Sequence, residues 1–478
     1  MSALDASFLY VEDQQTPMHV GSVMVFDPGK GGMDYDRLVA LIGDRIAAVP
    51  RYRHRVIEVP GHLANPVWAD DTAFDLTYHV RRSGLPRPGT DEQLEEFVAR
   101  IIARPLDPKR PLWEAYVVEG LEHGRFALVT KTHHALVDGV NAVDIAQLIL
   151  TGDPAEEPDS AGDVSSWRPR SEPSSVSLVG DAVLDLVRAP TQIVDTVRGG
   201  VADVRATGGR VLGALASVAA TVARVSARPA PSSPLNVEVG SGRRFVMVGT
   251  DLADYRTVRS RLTKGRFVED VTINDVVLAT IAGALRTWLL TRGEPVSSAT
   301  TVRAMVPVTF TSEADPAAEV TAAGAGLRAC FVDLPVGEAS ASMRLHQIAF
   351  AMRQQMESGQ AVGAAALAGL GGFAPPTLHA LGARLGSAVS RRLYNVVITN
   401  VPGPQKPLYA AGAQLLATYP VMPLRHGQGL AVGLTSYDGG VYYGLNAERV
   451  QLPDADVLGQ CISDALTELL ESHRGKRL

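Results

Sequence analysis

The chain has 478 residues, of which 46% are hydrophobic and 20% charged, with a formal net charge of −6. This length carries a sizeable core and two or three domains, and the acidic balance excludes a nucleic-acid footprint. Only Cys330 and Cys461 are cysteines, far apart, which excludes a disulfide framework and points to a reducing, cytoplasmic setting.

Taken in chain order, Met1 to Gln14 contains Asp5, Glu12 and Asp13 and lacks the basic region of a signal peptide. His19 to Phe26 alternates as a strand does, and Tyr35 to Val49 has helical spacing. Strands are predicted at Tyr52 to Val59 and Phe74 to Val80, and a helix at Glu92 to Ala103. Trp113 to Glu119 and Phe126 to His133 read as paired strands joined by His123-Gly124. A helix from Gly139 to Leu150 closes a first α/β unit, residues 1–150.

Residues 151–242 change character. Thr151 to Ser175 is rich in Pro, Ser, Glu and Asp and reads as a linker. Val176 to Arg228 is helical in pattern, interrupted at Pro190 and at paired glycines. Within it, Val204 to Arg228 carries Arg205, Arg210, Arg224 and Arg228 and no acid, with apolar residues near helical spacing. Such a helix either docks on an anionic membrane surface or packs on the protein.

Residues 243–478 form a second α/β unit. Strands are predicted at Phe245 to Leu252, Arg303 to Val308, Arg328 to Leu334, Asn395 to Asn400, Leu430 to Thr435 and Val441 to Asn446. Helices are predicted at Asp254 to Thr263, Asn274 to Leu290 with Thr272 as cap, and Asp454 to Ser472. Asp438-Gly439-Gly440 marks a hairpin. The longest uncharged stretch, Ser358 to Ala383, is Gly/Ala-rich and broken by Pro375-Pro376, so it reads as buried helix and loop, with an acyl-tunnel wall as the alternative.

The chemistry gathers at His133-His134-Ala135-Leu136-Val137-Asp138-Gly139, an HHxxxDG sequence at the end of a predicted strand. Adjacent residues of a strand face opposite ways, so one histidine can face a reaction centre while the other supports it. An imidazole there can accept a hydroxyl proton near neutral pH. The same residues also suit a plain strand-to-helix turn. No third ligand sits at metal-binding spacing, so no metal is expected.

Upstream lies Arg110-Pro111-Leu112-Trp113, and downstream lie Asn274-Asp275 and Asn400-Val401-Pro402-Gly403-Pro404. Together with HHxxxDG, the opening Ser2 to Leu9 and Pro17-Met18-His19-Val20-Gly21, this ordered set resembles the bacterial wax ester synthase/diacylglycerol acyltransferase family along almost the whole chain. One departure is Gly326-Leu327, where family members often carry Gly-Asn.

The resemblance implies two pseudo-duplicated α/β domains like chloramphenicol acetyltransferase around a central channel. It implies acyl-CoA as co-substrate, no bound cofactor, and diacylglycerol or a long-chain alcohol as acceptor, with the enzyme in the cytoplasm or peripheral on the inner membrane face or lipid droplets. His134 is then the general base, with His133, Asp138 and Gly139 supporting and Arg53 a partner for Asp138. Pro111, Leu112, Trp113, Asn274 and Asp275 are expected along the channel, with Trp113 also read as a core anchor and Asn274-Asp275 alternatively as a plain helix start. The alternatives are a condensation-type acyltransferase acting on another hydroxyl or an amine, and a non-catalytic lipid-surface protein. The absence of a GxSxG elbow argues against a serine acyl-enzyme.

Overall fold

The computed structural model describes residues 1–60, 64–137, 145–155, 167–174, 177–178, 229–262, 271–310, 326–357, 362–363 and 393–472. Two mixed sheets organise them, one in each half. In the first half, β1 (His19–Asp27), β4 (Val80–Gly84), β5 (Trp113–Glu119) and β6 (Phe126–His133) lie in the order β1-β6-β5-β4. Helices α1 (Ala3–Val11), α2 (Tyr35–Ala47) and α4 (Asp91–Ile102) begin on Ser2, Asp34 and Thr90, whose side chains each accept a backbone N–H of the first turn. The apolar stripe of α2, including Leu38, Leu41 and Ile42, joins Phe26, Trp113 and Leu128 in one core. A short ladder, β2 (His54–Ile57) with β3 (Val67–Asp70), stands beside it.

The second sheet contains β7 (Arg243–Asp251), β8 (Val302–Phe310), β9 (Gly326–Leu334), β10 (Val362–Gly363), β11 (Val396–Pro402), β14 (Leu430–Tyr437) and β15 (Gly440–Glu448). Their order is β10-β9-β8-β11-β14-β15-β7, with β11 parallel to both neighbours. Helices α7 (Leu252–Leu262), α8 (Ile273–Thr291), α9 (Ala341–Glu357) and α10 (Ala455–Ser472) pack on it. Among the described residues only α8 is long and apolar enough to cross a membrane, and 72% of that apolar window is buried within the protein. Its sequence is therefore that of a central core helix, apolar on most sides because it has neighbours on most sides. Cys330 and Cys461 are both buried and are not joined by a disulfide.

The halves are not separate along the chain. Strand β13 (Ala413–Val421) leaves the second half and pairs antiparallel with β1, and the two-residue β12 (Tyr409–Ala410) extends the same edge. The crossing is tight. A Cβ on Gly444 would lie 1.9 Å from the Pro420 carbonyl oxygen, and one on Gly433 would lie 2.8 Å from Met422 Cγ. Glycine at these positions lets β13 pass against β14 and β15. Strand β13 was not expected from the sequence, because Tyr419-Pro420-Val421 places a proline where a ladder donor would be.

Two predicted strands also change. Only His54–Ile57 of the Tyr52 to Val59 run is extended, since Pro50 opens a short 3-10 turn through Arg53. In Phe74 to Val80, Asp75 Oδ1 accepts the Thr77 N–H at 2.9 Å and caps a helical turn, α3 (Leu76–His79), so the strand begins only at Val80. The predicted His123-Gly124 turn is present, both residues in the left-handed region, and so is the Asp438-Gly439 hairpin. The insert helix of Val204 to Arg228 lies outside the described residues, as does almost all of Ser358 to Ala383.

Gly444→Ala should destabilise the protein by about 1–3 kcal/mol, the usual range for overpacking. Gly31→Ala, where a Cβ would meet nothing within 4 Å, is the control. Chemical denaturation of the two variants checks this; equal midpoints would show that the crossing is not close-packed.

Candidate active site

Strand β6 delivers the histidine pair. It runs fully buried from Phe126 to His133, and His134 begins a helical turn, α5 (His134–Val137). The change from strand to helix at this point sends the two rings to different partners. Neither backbone N–H is left without an acceptor: His133 N–H donates to the Leu112 carbonyl at 2.9 Å and His134 N–H to the Met18 carbonyl at 2.8 Å. The sequences around Pro111-Leu112-Trp113 and Pro17-Met18-His19 thus flank the motif as adjacent chains.

His133 is enclosed. Its Nδ1 accepts the Ala135 N–H at 3.0 Å, so its proton sits on Nε2, which donates to Glu12 Oε2 at 3.2 Å. The other Glu12 oxygen accepts the Met18 N–H at 3.2 Å and lies 3.5 Å from His19 Nε2. His19 stands directly opposite His133 in the β1–β6 register. Burial, then the neighbouring Lys131 and His133, pushes the His19 pKa well below the ordinary value, so Glu12 faces a neutral His19 imidazole beside the Nε2–H of His133. The approach of β1 needs Gly21, whose Cβ would lie 1.9 Å from the Thr130 carbonyl oxygen.

His134 is held differently. Its ring stacks on Phe8 at a centroid separation of 4.2 Å and an interplanar angle of 12°. Loss of water, followed by the charges of Arg425 and His133, pushes its pKa down to about 3. The imidazole is therefore neutral at any working pH. Arg425 belongs to the loop ahead of β14, and the neighbouring His426 bonds to Thr16 Oγ1 and to Asp13 Oδ2, each at 3.1 Å. Both halves of the protein thus meet around the turn between α1 and β1.

Leu112 and Trp113 are 2% and 0% exposed and belong to the first-half core. The indole N–H donates to the Tyr52 carbonyl at 2.8 Å, and the ring stacks on His79 at 4.5 Å. Pro111 is buried as well, and its carbonyl accepts the Trp113 N–H at 2.8 Å. Pro111, Leu112 and Trp113 were expected along a channel, Trp113 also as a core anchor; the structure buries all three, with Leu112 and Trp113 in the first-half core beside the histidine strand.

Asp275 and Thr272 form a reciprocal cap at the start of α8, and burial raises the Asp275 pKa. Asn274 Oδ1 accepts from Asn400 Nδ2 at 3.0 Å, joining the Asn-Asp pair to the Asn-Val-Pro-Gly-Pro loop. The bonds of this pair run to that loop and to its own helix cap, not to the histidines. Asp138 and Gly139 lie outside the described residues. Arg53, expected beside Asp138, is buried, donates to the Ala47 carbonyl at 3.3 Å and lies 4.5 Å over the Trp167 ring. Among the described residues no group of three His, Cys, Asp or Glu could hold a metal ion.

Sequence reading missed Glu12 and Phe8. Phe8 lies in α1, and Glu12 is the C-cap residue whose N–H bonds to the Phe8 carbonyl at 3.2 Å. No helix was read at the N terminus from the sequence, although Ser2 and Asp5 form a capping box there.

Comparison with known proteins places the chain as follows. Residues 1–277 match the Wax ester synthase/diacylglycerol acyltransferase catalytic domain, and residues 323–470 match the WS/DGAT C-terminal domain. A probable diacylglycerol O-acyltransferase of Mycobacterium tuberculosis (strain CDC 1551 / Oshkosh), tgs3, is 44% identical over 266 residues, 55% of this chain and 95% of that protein. Another from the same organism, tgs2, is 35% identical over 481 residues, 97% of each chain. The solved wax ester synthase/diacylglycerol acyltransferase from Marinobacter aquaeolei VT8 superposes with a TM-score of 0.66 at 28% identity, covering 98% of both chains.

The neutral buried imidazoles set a stability profile. In the unfolded chain histidine takes up a proton near pH 6.5; folded His134 resists until about pH 3, and His19 and His79 are lowered too. The folded state therefore keeps its full stability above pH 6.5 and loses it as pH falls towards 3. His134→Asn should flatten that decline, by up to about 1.4 kcal/mol per pH unit. Urea denaturation at pH 7, 6, 5 and 4 measures the slopes; parallel curves for variant and wild type would refute it.

Proposed function

Because the chain belongs to the wax ester synthase/diacylglycerol acyltransferase family, we propose that it transfers a fatty acyl group from acyl-CoA to the hydroxyl of diacylglycerol, with His134 as the general base. The activity is that of an acyl-CoA-dependent O-acyltransferase. The observation that carries the assignment of the base is the division of labour within the pair. His133 has both ring nitrogens committed, to Ala135 N–H and to Glu12, and so has no site for a substrate proton. His134 is placed by its backbone and by the face of Phe8 and is neutral.

In the reaction the acceptor oxygen attacks the thioester carbonyl carbon while His134 takes the hydroxyl proton. The C–S bond then breaks, the ester departs, and the proton passes from the imidazolium to the CoA thiolate. A pKa near 3 makes the empty site a poor proton acceptor. The oxyanion formed in the same step supplies the missing counter-charge, so protonated His134 is stabilised when the transition state is present. Return of the proton to sulfur is downhill, since a thiol holds its proton to roughly pH 8.5. Glu12 positions His133, and His133 and Phe8 shape the niche of His134.

A long-chain alcohol is a second acceptor on this reading, as the family's name carries both activities. Docking on anionic membranes or lipid droplets through the arginines of Val204 to Arg228 is part of the same proposal, supported by the sequence pattern alone. Asp138 and Gly139 are proposed as supporting residues of the histidine motif, with Arg53 as the proposed partner of Asp138.

His134→Ala should lower CoA release from palmitoyl-CoA and diacylglycerol by about 10²–10⁴-fold with the melting temperature little changed. Turnover within a few-fold of wild type would remove His134 from the chemistry. A panel of alcohols and amines as acceptors distinguishes ester formation from amide formation, and failure with every acceptor would favour a lipid-surface protein without catalysis. Glu12→Gln should lower kcat less, by about tenfold, because the His133 donor keeps an acceptor but loses its charge. An unchanged kcat would confine Glu12 to a structural role.

A further inference from the structure

A cleft of about 300 Å³ opens where α4 meets the start of β7, and its lining combines Arg100, Arg104, Arg243 and Arg449 with small residues such as Ala103 and Gly242. No acidic side chain lines it. Arg100 and Arg104 project one turn apart from the end of α4, and Arg449 follows β15, its backbone N–H bonded to the Gly242 carbonyl at 3.3 Å. Arg243 forms the floor. It is buried and spends its guanidinium on the carbonyls of Gly240 at 2.6 Å, Gly242 at 2.8 Å, and Gln15. Among the described residues no carboxylate forms an ion pair with Arg100, Arg104 or Arg449. Three exposed guanidiniums around a recess, without counter-charges, suit a ligand bearing several phosphates.

We propose that this cleft holds the phosphate groups of the CoA nucleotide; the proposal rests on the acyl-CoA reading above and locates its polar end. The path to the histidines is short. The Gln15 carbonyl touches Arg243, and three residues on the Met18 carbonyl receives His134 N–H. Three residues of extended chain span at most about 11 Å. An extended pantetheine arm is long enough for that interval, so the proposal puts the phosphates among the arginines and the thioester at His134. Anionic lipid headgroups share the phosphate chemistry. The cleft is walled by Ala99, Ala103 and Gly242 between α4 and the start of β7, and the liposome measurement below distinguishes the two phosphate sources.

The test uses the full chain with Arg100→Gln, Arg104→Gln and Arg449→Gln, singly and together, leaving the structural Arg243 intact. Calorimetry with adenosine 3′,5′-bisphosphate should show about tenfold weaker binding for each single change and no measurable binding for the triple variant. The ratio of KM for palmitoyl-CoA to KM for S-palmitoyl-pantetheine, which lacks the nucleotide, should rise in step. His134→Ala should bind the nucleotide as wild type does, so this result is readable even if the base is misassigned. The proposal is overturned if the triple variant binds adenosine 3′,5′-bisphosphate normally, or if KM rises equally for both thioesters. It is overturned equally if the triple variant loses flotation with phosphatidylglycerol liposomes while keeping its nucleotide affinity, which would make the cleft a lipid-surface site.

Discussion

Two backbone hydrogen bonds govern the arrangement of this protein. At the point where strand β6 turns into a helix, the amides of His133 and His134 leave the regular ladder, and they sit in a region from which water is largely removed. A buried amide without an acceptor costs about 1–3 kcal/mol. The Leu112 and Met18 carbonyls meet that requirement from either side. Three motifs separated by up to about a hundred residues therefore act as a single three-strand unit. Trp113 anchors one flank in the core, and Gly21 brings the other close enough to bond. The chemistry follows from the same constraint: a histidine pinned by its backbone in a dry site stays neutral, and a neutral imidazole is what a proton-accepting role needs.

Much of the fold was legible where one rule of local chemistry dominated. The long helices α2, α4, α8 and α10 announce themselves by periodicity and by caps such as Thr272. The central strands do so by alternation, and the Asp438-Gly439 turn by its need for left-handed backbone. The histidine motif and its family were readable because several short motifs occur in a fixed order. What was not legible depended on contacts between distant segments. Strand β13 contains a proline that local rules would exclude, and only the partner β1 makes it a strand. Glu12 looked like an ordinary acidic residue of the N terminus until α1 folded over His133. Trp113 and Leu112 lie buried in the first-half core beside the histidine strand, a placement that depends on the packing of distant segments.

The seam between the halves is where their contributions combine. The first half supplies the histidines, the second supplies Arg425 and His426, and the turn from Glu12 to Met18 lies between them, bonded to both. The Asn274–Asn400 bond performs a similar task within the second half, joining the start of α8 to strand β11. A fold of two similar halves thus gains its chemistry from residues that neither half could arrange alone.

The crossing of β13 into the first sheet also has a consequence for biosynthesis. Strand β1 is translated early, and the partner for its outer edge is Ala413–Val421. At roughly 5–20 residues per second, the chain between them takes on the order of 20–80 s to emerge. Throughout that interval the first half carries an open sheet edge beside its histidine strand, a template for mispairing with other nascent chains. Completion of the first sheet is therefore a late event in synthesis: the early half waits, with one edge unpaired, for Ala413–Val421, and a ribosome stalled before residue 413 leaves that edge open on the released fragment.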